Sequence, residues 1–228
     1  MNLPLNNTRI RPDFRWSDID TVLLDMDGTL LDKYFDDYFW EEYVPQMYAQ
    51  KNGISTEQAT EKLMNGYRSV EDTLSWTDLD FWSDRLGLDI PALKEQVNHL
   101  IQVHPFVIDF LGYISEQVKQ VCLVTAAHNK TLAIKMKKAD LTPHFDKIIC
   151  AEEIGVPKET PEFWLKLEQL LGYEKSRTFF ADDTNKVLQA ARQHGIGQVI
   201  HVARPSSRAP VHYSKEFPSI VFFDELMF

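Results

Sequence analysis

The chain has 228 residues, 44% apolar and 12% aromatic, enough to bury one α/β core carrying an insertion. Its formal charge is −10, from 34 acidic against 24 basic side chains, and the acids are spread along the chain. Such a field opposes nucleic-acid polymers, and no window approaches the roughly 18 apolar residues that a membrane span requires.

The opening stretch, MNLPLNNTRIRPDF, carries positive charge without the apolar run of a secretory leader, and reads as a lead-in arm. A short apolar run over 21–26 (TVLLDM) follows and predicts a buried parallel strand. It stops at Asp25-Met26-Asp27-Gly28-Thr29, two carboxylates with one residue between them. One carboxylate can attack phosphorus, and a second can protonate the leaving oxygen and then activate water. Gly28 lets the backbone turn tightly enough for its amides to face a phosphate.

From about residue 34 to residue 102 the pattern changes to aromatic-rich helical segments with no convincing strand. Ser55 and Gln58 are spaced as a capping box. An insertion that leaves the carboxyl end of the first strand lands where open α/β sheets bind ligands, and so is expected to act as a lid. Its first aromatics, Tyr34, Phe35, Tyr38, Phe39 and Trp40, are expected mostly to pack the insertion's own core, with one or two available to stack a base.

The run over 121–125 (VCLVT) predicts the second strand, ending on Thr125, whose hydroxyl can donate to a phosphoryl oxygen. His128 and Lys130 follow it, at the site mouth or at a helix start. A strand over 147–150 (KIIC) leads to Lys158, two residues before a helix opened by Thr160-Pro161-Glu162 and closed by Gly172. Taken alone, Lys158 reads as an ordinary surface lysine; in this setting its ammonium would neutralise a transferring phosphoryl group. A strand over 177–181 (RTFFA) ends on Asp182 and Asp183, hard oxygen donors suited to Mg²⁺. Thr184 is placed to cap the next helix and Gly195 to end it, before strands over 198–202 and 220–223. Cys122 and Cys150, each within an apolar run, read as buried, reduced thiols.

Alternating strand and helix predicts a Rossmann-like α/β fold, a parallel sheet with helices on both faces and an inserted all-helical segment. The expected division is a core of 1–33 and 103–228 and a cap of 34–102. Nucleophile, acid/base, hydroxyl, cation and metal carboxylates, each at the end of a strand, form a complete phosphoryl-transfer set.

These motifs resemble those of the haloacid dehalogenase superfamily over essentially the whole chain. The resemblance implies Asp25 as nucleophile and Asp27 as acid/base, with the main-chain carbonyl of Asp27 a metal ligand. It implies Thr125 and Lys158 as phosphate-binding residues, and Asp183, supported by Asp182, as the Mg²⁺ carboxylate. The insertion resembles a class-one cap, and an aspartate at position 27 places the chain in the phosphatase branch. At a finer level, TVLLDMDGTLLD at 21–32, DYFW at 37–40, LGLDI at 86–90 and PKE at 157–159 are similar to bacterial GMP/IMP nucleotidases of the superfamily. That similarity implies a purine nucleoside 5′-monophosphate as the small-molecule phosphomonoester substrate. Ala126 departs from the Asn that many relatives carry after the hydroxyl residue, removing an amide donor near the phosphate. The rivals are a sugar-phosphate phosphatase or phosphomutase, and a silent phosphoprotein- or nucleotide-binding module. A cytoplasmic monomer or small homo-oligomer, with neither membrane nor nucleic-acid partner, is expected.

Overall fold

A computed structural model describes residues 9–71 and 73–228. The expected lead-in arm therefore lies outside the described residues up to position 8. Six parallel strands form one sheet: β1 (Thr21–Leu24), β2 (Gln120–Thr125), β3 (Lys147–Cys150), β4 (Thr178–Asp182), β5 (Gln198–Val202) and β6 (Ser219–Ile220), in the spatial order β3-β2-β1-β4-β5-β6. From β1 the chain builds outward through β2 to β3, then returns to the other side of β1 and continues to β6. The order therefore reverses beside β1, and a parallel sheet leaves a crevice at such a point.

Side chains of successive strand residues point to opposite faces, and the chain fills both with apolar groups. One core holds Val22, Leu24, Leu123, Phe179 and Ile200; the other holds Leu23, Cys122, Val124, Phe180 and Val199. The first face is covered by α6 (Val107–Ser115) and α7 (Asn129–Ala139), the second by the short α8 (Ala151–Ile154), α9 (Pro161–Leu171) and α10 (Asn185–His194).

Between β1 and α6 the described residues contain helices and no strand: α1 (Tyr34–Tyr38), a π-helical turn (Phe39–Tyr43), α2 (Val44–Asn52), α3 (Thr56–Arg68), α4 (Leu79–Leu86) and α5 (Ile90–Gln96). The capping box of α3 forms as the spacing predicts: Ser55 Oγ accepts from Gln58 N and Gln58 Oε1 accepts from Ser55 N. Phe35 and Phe39 are fully buried, Trp40, Tyr67 and Trp82 meet edge to face or tilted, and α5 packs against α7 of the core.

Three local expectations change. β1 stops at Leu24, because Asp25 and Met26 already belong to the turn that follows: three successive amides, from Thr29 to Leu31, converge on the Met26 carbonyl. The apolar run at 220–223 splits after Ile220, and Phe223 enters a 3₁₀ turn (Phe223–Leu226) whose ring stacks on Phe110 of α6 at 4.6 Å. Thr184 occupies the N-cap position of α10 but makes no side-chain cap bond; its hydroxyl turns back to Asp183 Oδ1 at 3.3 Å.

Candidate active site

Asp25 is the first residue beyond the central strand. Its amide donates to the Ala181 carbonyl at 3.0 Å, continuing the β1–β4 ladder by one bond and holding the residue level with Asp182. The following turn closes on itself, with Gly28 N donating to Leu31 O at 2.8 Å. Gly28 has φ +83°, and a Cβ there would stand 2.7 Å from Asp183 Oδ2 and 2.9 Å from Pro205 Cβ. Glycine is thus required twice, for the left-handed backbone and for the close approach of the Asp183 loop.

The sequence-predicted residues converge on this point. Lys158, only 2% exposed, donates to Asp25 Oδ1 (2.6 Å), Asp182 Oδ2 (2.7 Å) and the Val124 carbonyl (3.1 Å). An ammonium has three donors and all three are engaged, so its position is fixed by the ends of β1, β2 and β4 together. The position is set from behind as well: Lys158 O accepts from the buried Trp164 indole at 2.8 Å. Asp182 accepts from Thr184 N on its other oxygen (2.7 Å), so its carboxylate is occupied on both sides. Thr125 Oγ1 accepts from Ala127 N at 3.0 Å, which leaves its hydroxyl hydrogen for a ligand. Ala126 sits beside it on the cavity wall.

Carboxylate oxygens of Asp25, Asp182 and Asp183 lie within 4.8 Å of one another. Burial pushes the Asp25 carboxyl up to about 6, opposed by Lys158 and reinforced by Asp182; burial pushes Asp183 up to about 6 as well, opposed by Lys33. Lys33, which no sequence motif singles out, stands 3.6 Å from Asp183 Oδ2. Crowded, buried carboxylates of this kind favour a hard cation, and the donor set fits Mg²⁺. In a second group with possible metal donors, Asp78, Asp80 and His128, Asp80 is already paired with Lys130, and His128 Nε2 lies 3.6 Å from Asp78 and 3.7 Å from Glu152.

Asp27 is half-buried and its Oδ1 accepts from Lys135 Nζ at 2.5 Å. Lys135, on α7, is 1% exposed and went unnoticed in sequence because a lysine in a basic-ended helix carries no signal. Its ammonium also binds Asp36 of α1. Asp25, Asp27, Asp36, Asp182 and Asp183 all open onto a cavity of about 550 Å³. Its floor is Asp25, Thr125, Lys158 and Asp183, and its far wall comes from the helical insertion, where Trp40, Tyr67, Trp76 and Trp82 join Arg68 and Glu71. Trp76, Arg68 and Glu71 are missed by a reading that looks for base-stacking groups at the start of the insertion. Tyr34, Phe35, Tyr38 and Phe39 are absent from the described lining, and of those first aromatics Trp40 reaches it.

The model of haloacid dehalogenase-like hydrolases matches residues 19–195. The chain belongs to the haloacid dehalogenase-like hydrolases. The GMP/IMP nucleotidase YrfG of Escherichia coli (strain K12) is 38% identical over 205 residues, covering 90% of this chain and 92% of the relative. A phosphorylated carbohydrates phosphatase of Thermotoga maritima is 20% identical over 194 residues, covering 81% of this chain and 85% of the relative. The crystal structure of a HAD phosphatase from Thermococcus onnurineus superposes with a TM-score of 0.77 at 23% identity, covering 91% of this chain and 96% of that one. The haloacid dehalogenase-like hydrolase fold is thereby shared, and among the described residues no helix is long and apolar enough to cross a membrane.

Proposed function

We propose that this hydrolase is a Mg²⁺-dependent phosphomonoesterase that cleaves purine nucleoside 5′-monophosphates, GMP and IMP foremost, to nucleoside and phosphate. The observation that carries the chemistry is the grouping of Asp25, Thr125, Lys158, Asp182 and Asp183 at the ends of adjacent strands, beneath one cavity. The 38% identity to the E. coli GMP/IMP nucleotidase over 90% of the chain supports the substrate class.

In this reading Asp25 attacks phosphorus and forms the aspartyl phosphate as the bond to the leaving oxygen breaks. Asp27 gives that oxygen its proton, then takes one from the water that releases phosphate. Lys158 and the Thr125 hydroxyl hold the transferring oxygens, so catalysis is mostly positioning and charge stabilisation. Asp25, Asp183 and the main-chain carbonyl of Asp27 would hold Mg²⁺, with Asp182 behind them fixing Lys158. Bound there, the ion neutralises phosphoryl charge.

Residues 34–102 act as the cap over a core of 1–33 and 103–228. The cap wall suits a base: Trp76 and Trp40 line it with aromatic rings, Arg68 can donate, and Glu71 can accept. A 6-oxopurine edge, with O6 and N7 accepting and N1–H donating, complements that pair; adenine reverses the pattern at positions 1 and 6. Among the described residues neither Arg68 nor Glu71 has an ion-pair or side-chain hydrogen-bond partner that would compete. The enzyme is read as a cytoplasmic monomer or small homo-oligomer. A second reading, a sugar-phosphate phosphatase, draws on the T. maritima relative.

A phosphate-release panel with Mg²⁺, setting GMP, IMP and AMP against hexose phosphates, tests the assignment. GMP and IMP turning over fastest supports it. Preference for hexose phosphates removes the nucleotidase and keeps the phosphatase; no release from any ester removes both.

A further inference from the structure

A line of alternating charges runs from the proposed acid/base into the insertion. Asp27 Oδ1 accepts from Lys135 Nζ at 2.5 Å, Lys135 also binds Asp36 Oδ2, and Asp36 Oδ1 accepts from Lys94 Nζ at 2.8 Å. With Asp27 ionised, two carboxylates and two ammoniums make the set neutral; in its proton-donating form the set carries one net positive charge. Both lysines are 1% exposed. Lys94 belongs to α5, and its ammonium lies 4.6–5.5 Å from the ring centres of Phe39, Phe35 and Trp40. Asp36 belongs to α1, Lys135 to the core helix α7, and Asp27 to the turn after β1.

Burial works against ionising Asp36, yet Lys135 and Lys94 together hold its carboxyl well below the usual carboxylate range. The arrangement is an unneeded expense if stability alone is at issue, since buried ion pairs are commonly replaced by apolar groups at no loss. Lys135 stands outside the described lining of the cavity, whereas Asp27 and Asp36 are part of it. It therefore reaches Asp27 from behind, on the side away from a bound ester.

We propose that Asp36 is a positioning residue for proton transfer. It draws Lys135 into the place where one oxygen of Asp27 is fixed and the other faces the leaving oxygen, so Asp27 is aimed only while α1 is seated on α7. The proposal rests on the reading of Asp27 as proton donor. In that step the Asp25 oxygen–phosphorus bond forms, the bond from phosphorus to the ester oxygen breaks with its electron pair, and the Asp27 proton passes to that oxygen.

The test compares an alkyl ester, GMP, with 4-nitrophenyl phosphate, whose phenolate leaves without a proton. In Asp36→Asn, kcat/KM for GMP is expected to fall about 10- to 100-fold, a fraction of what removing general acid catalysis costs, and kcat/KM for the nitrophenyl ester at most about threefold. Asp36→Glu keeps the charge but moves the carboxylate by one methylene; a smaller loss of the same selective kind is expected, and it serves if the Asn variant fails to fold. Equal losses with both esters, or no loss with either, overturn the proposal. Asp27→Asn separates the two claims. Selective loss there with unselective or absent loss in both Asp36 variants removes the positioning role alone; equal loss there removes the proton-donor reading and this proposal with it.

Discussion

Replacing Gly28 with alanine probes the point where backbone conformation and the proposed metal carboxylates meet. The residue has φ +83°, a region that costs an L-amino acid roughly 1–2 kcal/mol. The added Cβ would lie 2.7 Å from Asp183 Oδ2, 2.8 Å from Asp183 Cγ and 2.9 Å from Pro205 Cβ, so something must move. Asp183 is the softer neighbour, because its side chain can rotate whereas the proline ring cannot; crowding of this kind costs a further 1–3 kcal/mol or so. The expected total, about 2–5 kcal/mol, is survivable for a domain of ordinary stability of roughly 5–15 kcal/mol. Urea unfolding measures that loss, and phosphate release from GMP titrated with Mg²⁺ measures the displacement of Asp183. Gly28→Ala should fold, need at least tenfold more Mg²⁺ for half-maximal rate and retain little activity. A variant with a stability loss under about 1 kcal/mol and an unchanged Mg²⁺ requirement would show that Asp183 does not hold the ion at this turn.

Three further outcomes are expected. Lys158→Met leaves Asp25 and Asp182 buried without their shared cation, so phosphate release should drop at least 100-fold, and Lys158→Arg should not restore it, because a planar guanidinium cannot repeat the three bonds to Asp25, Asp182 and the Val124 carbonyl. Burial pushes His201 down to about 4 from its ordinary 6.5, so the unfolded chain binds a proton through that window while the folded one does not; its contribution to stability is lost as pH falls from 6.5 towards 4. The difference between wild-type and His201→Gln urea-unfolding curves should therefore shrink by at most about 3 kcal/mol across that range, and a difference independent of pH would refute it. Cys122 and Cys150 are buried and free, with thiols pushed up to about 12 by burial, so a thiol reagent at pH 8 should react with them only after denaturant is added.

The strand ends were the legible part of the site. Asp25, Thr125 and Asp182 follow or end apolar runs whose parallel pairing is almost dictated by composition, and pairing in register places them side by side. Lys158 was legible only through its neighbours; its burial depends on where Trp164 of α9 docks, a tertiary fact that a lone lysine does not announce. Lys33, Lys94 and Lys135 were hidden for the same reason. Each gains meaning from a carboxylate on another element, 150, 58 and 99 or 108 positions away, and no local pattern marks such a pair. The far wall was legible only in part, because hydrophobic periodicity shows which aromatics are apolar-facing without telling a helical core from a cavity. Phe35 and Phe39 are buried in that core while Trp40 reaches the cavity, which is also lined by Trp76, farther along the insertion, and by Tyr67, itself part of the core.

In the proposed mechanism Asp25 takes the phosphoryl group. Mass spectrometry of protein quenched in acid during turnover of GMP with Mg²⁺, paired with phosphate-release rates for wild type and Asp25→Asn, tests it most directly. A peptide containing Asp25 should be heavier by one phosphoryl group in the wild type, with neither adduct nor phosphate release in Asp25→Asn. Full phosphate release by that variant, or an adduct on any other residue, would contradict it.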